Sequence, residues 1–505
     1  MMTKTHKRFN LYAISEARNV IFGIATLWIG LFHSWDLSLE PYTSNEFLIK
    51  SLKFFRGTGN VGVDMFLFLS GIGLFFSFSK DSNVVSFWKK RLMRVLPTAF
   101  LIAAFYFSFR YVNGKCASGV KFYVSRMTFT YFFLKGERVF WFISLILALY
   151  IVFPIFYKII EKYRLVGMLG LVALIIGCNF ILRGAAPGFY SMWEVALCRI
   201  PSFVIGIWAG KFVMEKKEID ARWLWLFLGI AIVMLVLVFN YEPIIKSLVP
   251  GYNKKVETMY IWMYRYEGTI LGLALVVLDS YVIKAIRSRG MLNVLRNFFE
   301  FVGMYSMEYY MIYLNINAYL ERIYKIGPRH KVMLYFGSFV VSLALCVMVR
   351  KVCDFFMAYM QRKPKAQPTS ELGENYKWYE FLVYIGLFVV AGAVIFTGIS
   401  QISSGRVLYG IAYLLIGALA VATRICLAKR ISYGPLLLYI LIGSLPFVFL
   451  LHRALSTKMI QTILKGGKKT LLANLLIVAV AAACIAANVI YFKKRKELFS
   501  GKKEE

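Results

Sequence analysis

Apolar runs of bilayer length recur from one end of this chain to the other. Fourteen candidate spans can be marked, at about residues 19–35, 61–79, 95–110, 140–157, 165–182, 199–213, 223–240, 267–283, 297–320, 332–349, 378–399, 407–427, 432–451 and 470–492. A helix needs about 20 consecutive apolar residues to cross the hydrocarbon core. The runs are continuous, where a barrel would need short alternating strands. No stretch between them is long enough for a sizeable soluble domain. With 59% hydrophobic and 17% aromatic residues, the chain is too apolar for an ordinary soluble protein. The expected fold is all-α, a polytopic helical membrane protein.

The formal charge is +34, and much of it falls in loops and tails. Positive residues beside spans set topology and attract anionic lipid. No loop is long enough to fold into a nucleic-acid reader, so the lipid bilayer is the partner expected from composition and nucleic acid is not. An even span count puts both termini on one side. The basic start MMTKTHKR and the tail KKRKELFSGKKEE then both face the cytoplasm, although the outer segments 110–139 and 452–469 are basic too. The first run is followed by SWDLSLEPY, not by a small-residue cleavage site, so it reads as a retained span. The seven cysteines form no C-x-x-C. They read as small membrane residues, and no metal site is expected.

A composition break falls at 361–377, QRKPKAQPTSELGENYK. It is polar and carries two prolines, which marks a linker. It separates a ten-span unit, 1–360, from a four-span unit with a basic cytoplasmic tail, 378–505. The second unit is rich in Leu, Ala, Ile and Gly, as in AVAAACIAAN. Such residues suit close helix packing, and nothing in that unit reads as catalytic.

His33, in FGIATLWIGLFHSWD, is one of only four histidines. An ionisable residue at membrane depth is a functional candidate by default, and imidazole exchanges a proton near working pH. Five further features follow in order: GNVGVDMFLFLSGIGLFFS in the second span, FWKKRLMRVLP at 87–97, WFISLILALYIVFP at 141–154, RIPSFVIGIWAGK at 199–211 and GMYSMEYYMIY at 303–313.

This ordered set resembles the membrane acyltransferase type 3 family, over roughly the first 350 residues. Its members move acyl groups, often acetyl, from a coenzyme A donor onto hydroxyls of sugars and other envelope molecules. The resemblance implies a ten-span acyltransferase-like bundle with four additional carboxy-terminal spans. It implies that His33 is the catalytic base, since an acceptor hydroxyl attacks a thioester poorly until its proton is removed. The plainer alternative is an interfacial histidine bonded to a backbone carbonyl. Asp64, at the start of the antiparallel second span, can approach His33 and orient its ring. Its alternatives are a helix-start acid near backbone N–H groups, and Asp36 as the histidine's partner. Ser70 and Gly71 form the family's SG pair, read either as room for the donor's thin arm or as helix packing.

Arg91 and Arg94 lie three residues apart on one helical face, with Lys89 and Lys90 adding potential. Guanidinium groups suit the phosphates of coenzyme A; ordinary inside-positive anchoring gives the same cluster. Trp141, Glu308 and Tyr313 are substrate-side candidates, with an aromatic belt as the plain reading of Trp141. Glu194 and Glu267 also sit in or beside spans, and Glu308 is the deepest acid and demands a partner. Two departures from the family pattern stand out. The arginine usual eleven residues before the histidine is Phe22 here, with Arg18 one turn further back on nearly the same face. The late motif usually ends in histidine, where this chain has Tyr313, which hydrogen-bonds but is no neutral-pH base.

The sequence therefore predicts an integral membrane acyltransferase taking acetyl from acetyl-CoA to a hydroxyl of a cell-envelope glycan or lipid-linked sugar. Basic outer segments would attract an anionic acceptor. A multi-pass transporter of a small solute or lipid-linked sugar is the rival class, although no matching halves are visible. A catalytically degenerate family member is the third reading.

Overall fold

A computed structural model describes residues 8–34, 37–112, 125–248, 254–286, 290–323, 331–361, positions within 391–402, and 407–428. Contacts divide the chain into two compact units. One comprises 1–102 with 128–353, and the other 103–127 with 354–505. The sequence places the division at the linker 361–377. Residues 362–377 of that linker lie outside the described residues, as do the spans expected at 432–451 and 470–492 and most of 378–399.

The first unit opens with strand β1 (Arg8–Asn10), a helical turn α1 (Ala13–Glu16) and α2 (Arg18–Phe32). Next come α3 (Glu46–Thr58), α4 (Val61–Lys80) and α5 (Val84–Val112), the last of which runs on past residue 102. A short α6 (Tyr131–Lys135) precedes α7 (Trp141–Ala185), α8 (Pro187–Leu197) and α9 (Ile200–Met214). Strand β2 (Glu218–Asp220) leads into α10 (Arg222–Leu248), α11 (Lys254–Ile286), α12 (Gly290–Met304), α13 (Ser306–Ile323) and α14 (Lys331–Gln361).

Among the described residues, five helical segments are long and apolar enough to cross a bilayer: Val61–Lys80, Trp141–Ala185, Pro187–Met214, Arg265–Ile286 and Lys331–Lys351. Arg18–Phe32, Arg222–Leu237 and Tyr413–Thr423 are shorter apolar helices. The chain is an all-α membrane protein. Helix α7 covers two expected spans, 140–157 and 165–182. Its backbone leaves helical geometry at Arg164, where φ is +52°, a conformation costly for a residue with a Cβ.

The span expected over 297–320 is two helices. Helix α12 stops at Met304 and α13 begins at Ser306. The Tyr305 N–H turns back to the Val302 carbonyl at 3.1 Å, and Arg350 donates to the Met304 carbonyl at 3.3 Å. A carbonyl released by the break thus finds its donor in a side chain of the neighbouring helix. A second unexpected element is α3. Asn45 caps it by accepting from the Leu48 N–H at 3.3 Å, which favours helix initiation. Phe47, Leu48 and Phe55 on α3 are exposed.

Glycine decides which helices touch. A Cβ on Gly23 would strike the Phe299 backbone of α12, and one on Gly303 would strike the Asn19 carbonyl of α2. Gly71 of α4 meets the Phe203 carbonyl of α9, and Gly206 of α9 meets the Phe68 carbonyl of α4 in return. Small residues allow backbones this close, and packing is what holds helices together where no water drives them. Gly59 lies against Trp28 and Phe32 while Gly73 lies against Arg18, so α4 runs antiparallel to α2. The core they share includes Ile21, Ala25, Met65, Phe68, Leu69 and Ile72. β1 pairs antiparallel with β2 in the register Arg8↔Asp220, Phe9↔Ile219 and Asn10↔Glu218. In the second unit, α15 (Val407–Ala428) packs through Gly410 and Gly417 against Ile402 and Ile395.

Gly23→Val and Gly71→Val should each lower the thermal unfolding midpoint of the detergent-solubilised protein. Overpacking costs about 1–3 kcal/mol even where side chains can yield, and here the obstacle is backbone. Gly170→Ala, which meets nothing within 4 Å, should not lower it. A midpoint unchanged by Gly71→Val would refute the close α4–α9 contact.

Candidate active site

The first unit contains a cavity of about 190 Å³. Its long wall is one stripe of α2, Arg18, Phe22, Thr26, Ile29, Gly30 and His33, with Val63, Phe66, Ser70 and Leu74 of α4 facing it. The α4 series steps by three or four residues, and the α2 series falls on the linked rows 18, 22, 26, 30 and 22, 26, 29, 33, so each is a single helical face. Arg91 and Arg94 of α5, Trp141 and Tyr150 of α7, and Tyr309 and Tyr313 of α13 complete the walls used below. The structure thus brings His33, Arg18, Arg91, Arg94, Trp141, Tyr313 and Ser70 to one space.

The two ends of that space differ chemically. His33 caps α2 fifteen residues after Arg18, roughly 22 Å along the axis at the α-helical rise. At the Arg18 end stand three arginines. The Arg18 guanidinium lies over the Phe22 ring, 5.0 Å from its centroid. Phe22 in turn stacks on Phe66 at 4.7 Å. Gly73 makes room, since a Cβ there would come within 3.0 Å of the Arg18 terminal nitrogen. The Nε atoms of Arg18 and Arg91 are buried and meet no acceptor among the described residues. Trp88 donates to the Tyr150 carbonyl at 3.0 Å, tying α5 to α7 beside this cluster. Lys90 is engaged elsewhere, donating to Asp81 at 2.8 Å. That bond, with others from Ser86 and the Asn83 amide, holds the Asp81 carboxyl down at about 2.

The His33 end is aromatic. Tyr309 and Tyr313 stack with centroids 4.8 Å apart. The Tyr313 hydroxyl lies 3.3 Å from Ser34 Oγ. The Phe142 N–H donates to the Tyr310 hydroxyl at 3.4 Å. Of the SG pair, Ser70 faces the cavity and Gly71 serves the contact with α9.

Asp64 is not where the sequence reading puts it. It does not line the cavity with His33. Its Oδ2 accepts from Arg199 at 3.0 Å, and its Oδ1 accepts from Ser202 at 2.6 Å and Thr269 at 3.1 Å. Both partners of the ion pair are buried, at 2% and 1% exposure. Being on α4, Asp64 and Val63 point to different sides: Val63 faces the cavity and Asp64 faces α9 and α11. A buried carboxylate goes where charge and hydroxyl donors satisfy it, and the helix phase of α4 directs it to Arg199. Asp36, the rival partner, lies outside the described residues.

Glu308 is buried and pairs with Arg350 at 2.7 Å. It holds α13 to α14 and is absent from the cavity wall. Glu194 accepts from Arg265 at 3.2 Å and from Arg138 at 3.3 Å. Glu267 leaves Oε2 buried without a hydrogen bond among the described residues. The sequence reading gave no role to Arg199, Arg350, Tyr150 or Tyr309. A cation beside a span was the available signal for the first two, because every buried acid at membrane depth needs one.

A family model described as an acyltransferase domain matches residues 20–351, well over half of the chain. The chain belongs to the membrane acyltransferase type 3 family. The match covers α2 through most of α14 and so includes every residue of the cavity except Arg18, two residues before it begins. No curated protein and no solved structure gives a significant match. In this acyltransferase family member Arg199 also sits 6.0 Å from the Trp141 ring centroid, so the buried pair abuts a cavity-lining side chain.

Removing one partner, by Asp64→Leu or Arg199→Met, should destabilise the protein by about 3–5 kcal/mol, the cost of stranding a buried charge. The double variant should recover much of that loss. Thermal unfolding of the four proteins measures it, and additive losses would show that the pair is not coupled.

Proposed function

We propose that this membrane protein is an O-acyltransferase that moves an acetyl group from acetyl-CoA to a hydroxyl of a cell-envelope glycan or lipid-linked sugar. The observation that carries the proposal is one cavity with His33 at one end and Arg18, Arg91 and Arg94 at the other. Guanidinium groups donate paired hydrogen bonds to phosphate, and three together, with no carboxylate in the wall among the described residues, suit a polyanion. The nucleotide end of acetyl-CoA is held at the arginines. The thin pantetheine arm lies along α2 past Phe22, Thr26 and Ser70 and presents the thioester near His33.

At that end His33 takes the proton of the acceptor hydroxyl as its oxygen attacks the thioester carbonyl. Trp141, Tyr309 and Tyr313 offer ring faces and polar edges to a sugar. Arg18 does here what an arginine at position 22 would do, reaching one turn up the helix over the Phe22 ring. Both termini and the arginine end face the cytoplasm in this proposal, where acetyl-CoA is made, and the acceptor is met toward the other leaflet.

With labelled acetyl-CoA and membrane extract, purified protein in vesicles should transfer label, and His33→Ala should transfer none. Arg18→Ala and Arg91→Ala should raise KM for acetyl-CoA about 10–100-fold, the worth of a charged hydrogen bond at roughly 1.5–3 kcal/mol, with kcat retained. Full transfer by His33→Ala, or solute uptake without transfer, would overturn the proposal.

A further inference from the structure

Attack on a thioester moves the carbonyl π electrons onto oxygen. Enzymes stabilise that charge with a hydrogen-bond donor already in place, and this is often the largest single contribution. The arginine end is too far to serve: even with its guanidinium over Phe22, Arg18 stops eleven residues, roughly 16 Å of helix, short of His33, and Arg91 and Arg94 lie beside Arg18. The donor has to come from the wall beside the histidine.

That wall is built from α13. Tyr309 and Tyr313 are one turn apart, both buried, and stacked with their planes 14° apart. Both face Gly30, one turn before His33. A Cβ at Gly30 would lie 3.4 Å from the Tyr309 hydroxyl and 3.4 Å from the Tyr313 ring. Ser34, the residue after His33, donates to the Gly30 carbonyl at 3.1 Å. With its proton so directed, Ser34 Oγ accepts from the Tyr313 hydroxyl at 3.3 Å. The phenol O–H is therefore held at the histidine end of α2 and fixed there from two sides, by the Tyr309 ring and by Ser34. It is a neutral donor that a stronger acceptor can capture.

We propose that Tyr313, braced by Tyr309 and Ser34, is the oxyanion donor of the transfer. This rests on the acyltransferase reading above. The acceptor O–H gives its proton to His33 as its oxygen bonds to the thioester carbon. The carbonyl electron pair moves to oxygen, which accepts the Tyr313 O–H. Collapse re-forms the carbonyl and breaks the carbon–sulfur bond. The departing thiolate of coenzyme A then takes the proton from His33. No other reagent enters. Tyr313 is a catalytic residue in this scheme; Tyr309 and Ser34 are positioning residues.

The test uses the full-length protein with labelled acetyl-CoA and membrane extract, comparing native protein with Tyr313→Phe, Tyr313→His, Tyr309→Phe and His33→Ala. Tyr313→Phe keeps the ring and loses the O–H. Its kcat should fall about 100–1,000-fold, the usual effect of losing one such donor. Its KM for acetyl-CoA and its unfolding midpoint should hold. Tyr313→His restores an N–H donor and should regain part of the loss, whereas Tyr309→Phe, which keeps the stacked ring, should cost less than Tyr313→Phe. A native kcat in Tyr313→Phe, with transfer still lost in His33→Ala, would refute the oxyanion role and leave the acyltransferase reading standing. A native rate in His33→Ala would remove both.

Discussion

The ion pair between Asp64 and Arg199 governs how the rest of the first unit is arranged. A lone charge cannot be left in the apolar interior of a membrane protein, so each partner dictates where the other's helix must lie. Arg199 begins α9 and also donates to the Asn60 carbonyl at 2.8 Å, so it grips the start of α4 twice. Thr269 adds α11 to the same carboxylate. With that side of α4 committed, its opposite face, from Val63 to Leu74, is the one turned to the cavity. The glycine contacts between α4 and α9 are possible only in the same orientation. Charge and close packing therefore agree on one rotation of α4, and that agreement is what makes the cavity wall definite.

Much of this was legible in the sequence. Length and continuity of the apolar runs gave helices in a membrane, because lipid leaves the backbone few other choices. Seven residues chosen from motif and chemistry, from Arg18 to Tyr313, do share one space. Other features were not legible. The partner of Asp64 depends on helix rotation, and a helix start offers no periodic signal strong enough to fix it. Glu308 was seen to need a partner, but Arg350 is 42 residues later, and no local pattern links the two. The interruption at Tyr305 was hidden because its neighbours are as apolar as a continuous span. Helix α3 interleaves Lys50, Lys53 and Arg56 with its apolar residues, so no continuous apolar run marks it.

At Phe22, where the family pattern has an arginine, the nearest cation is Arg18, one turn back on the same helix. Phe22 does not vacate the cavity; it lines it, stacked on Phe66. Arginine has a long flexible stem that packs along apolar surface while its head stays with polar partners. From one turn below, Arg18 lays its guanidinium over the Phe22 ring, 5.0 Å from the centroid. The geometry at that end is thus set by a pair, Arg18 with Phe22, with Gly73 leaving the space they need.

The small sheet at the start of the chain has its own consequence. β1 is hydrogen-bonded to β2 in a fixed register, and only a short turn separates it from α2. At the opposite end, the Trp28 indole donates to the Phe55 carbonyl at 2.7 Å. A rod anchored at both tips cannot slide along its own length. The guanidinium and the imidazole it carries are therefore kept at constant spacing, like two marks on a ruler, and that spacing sets the length of molecule able to touch both at once.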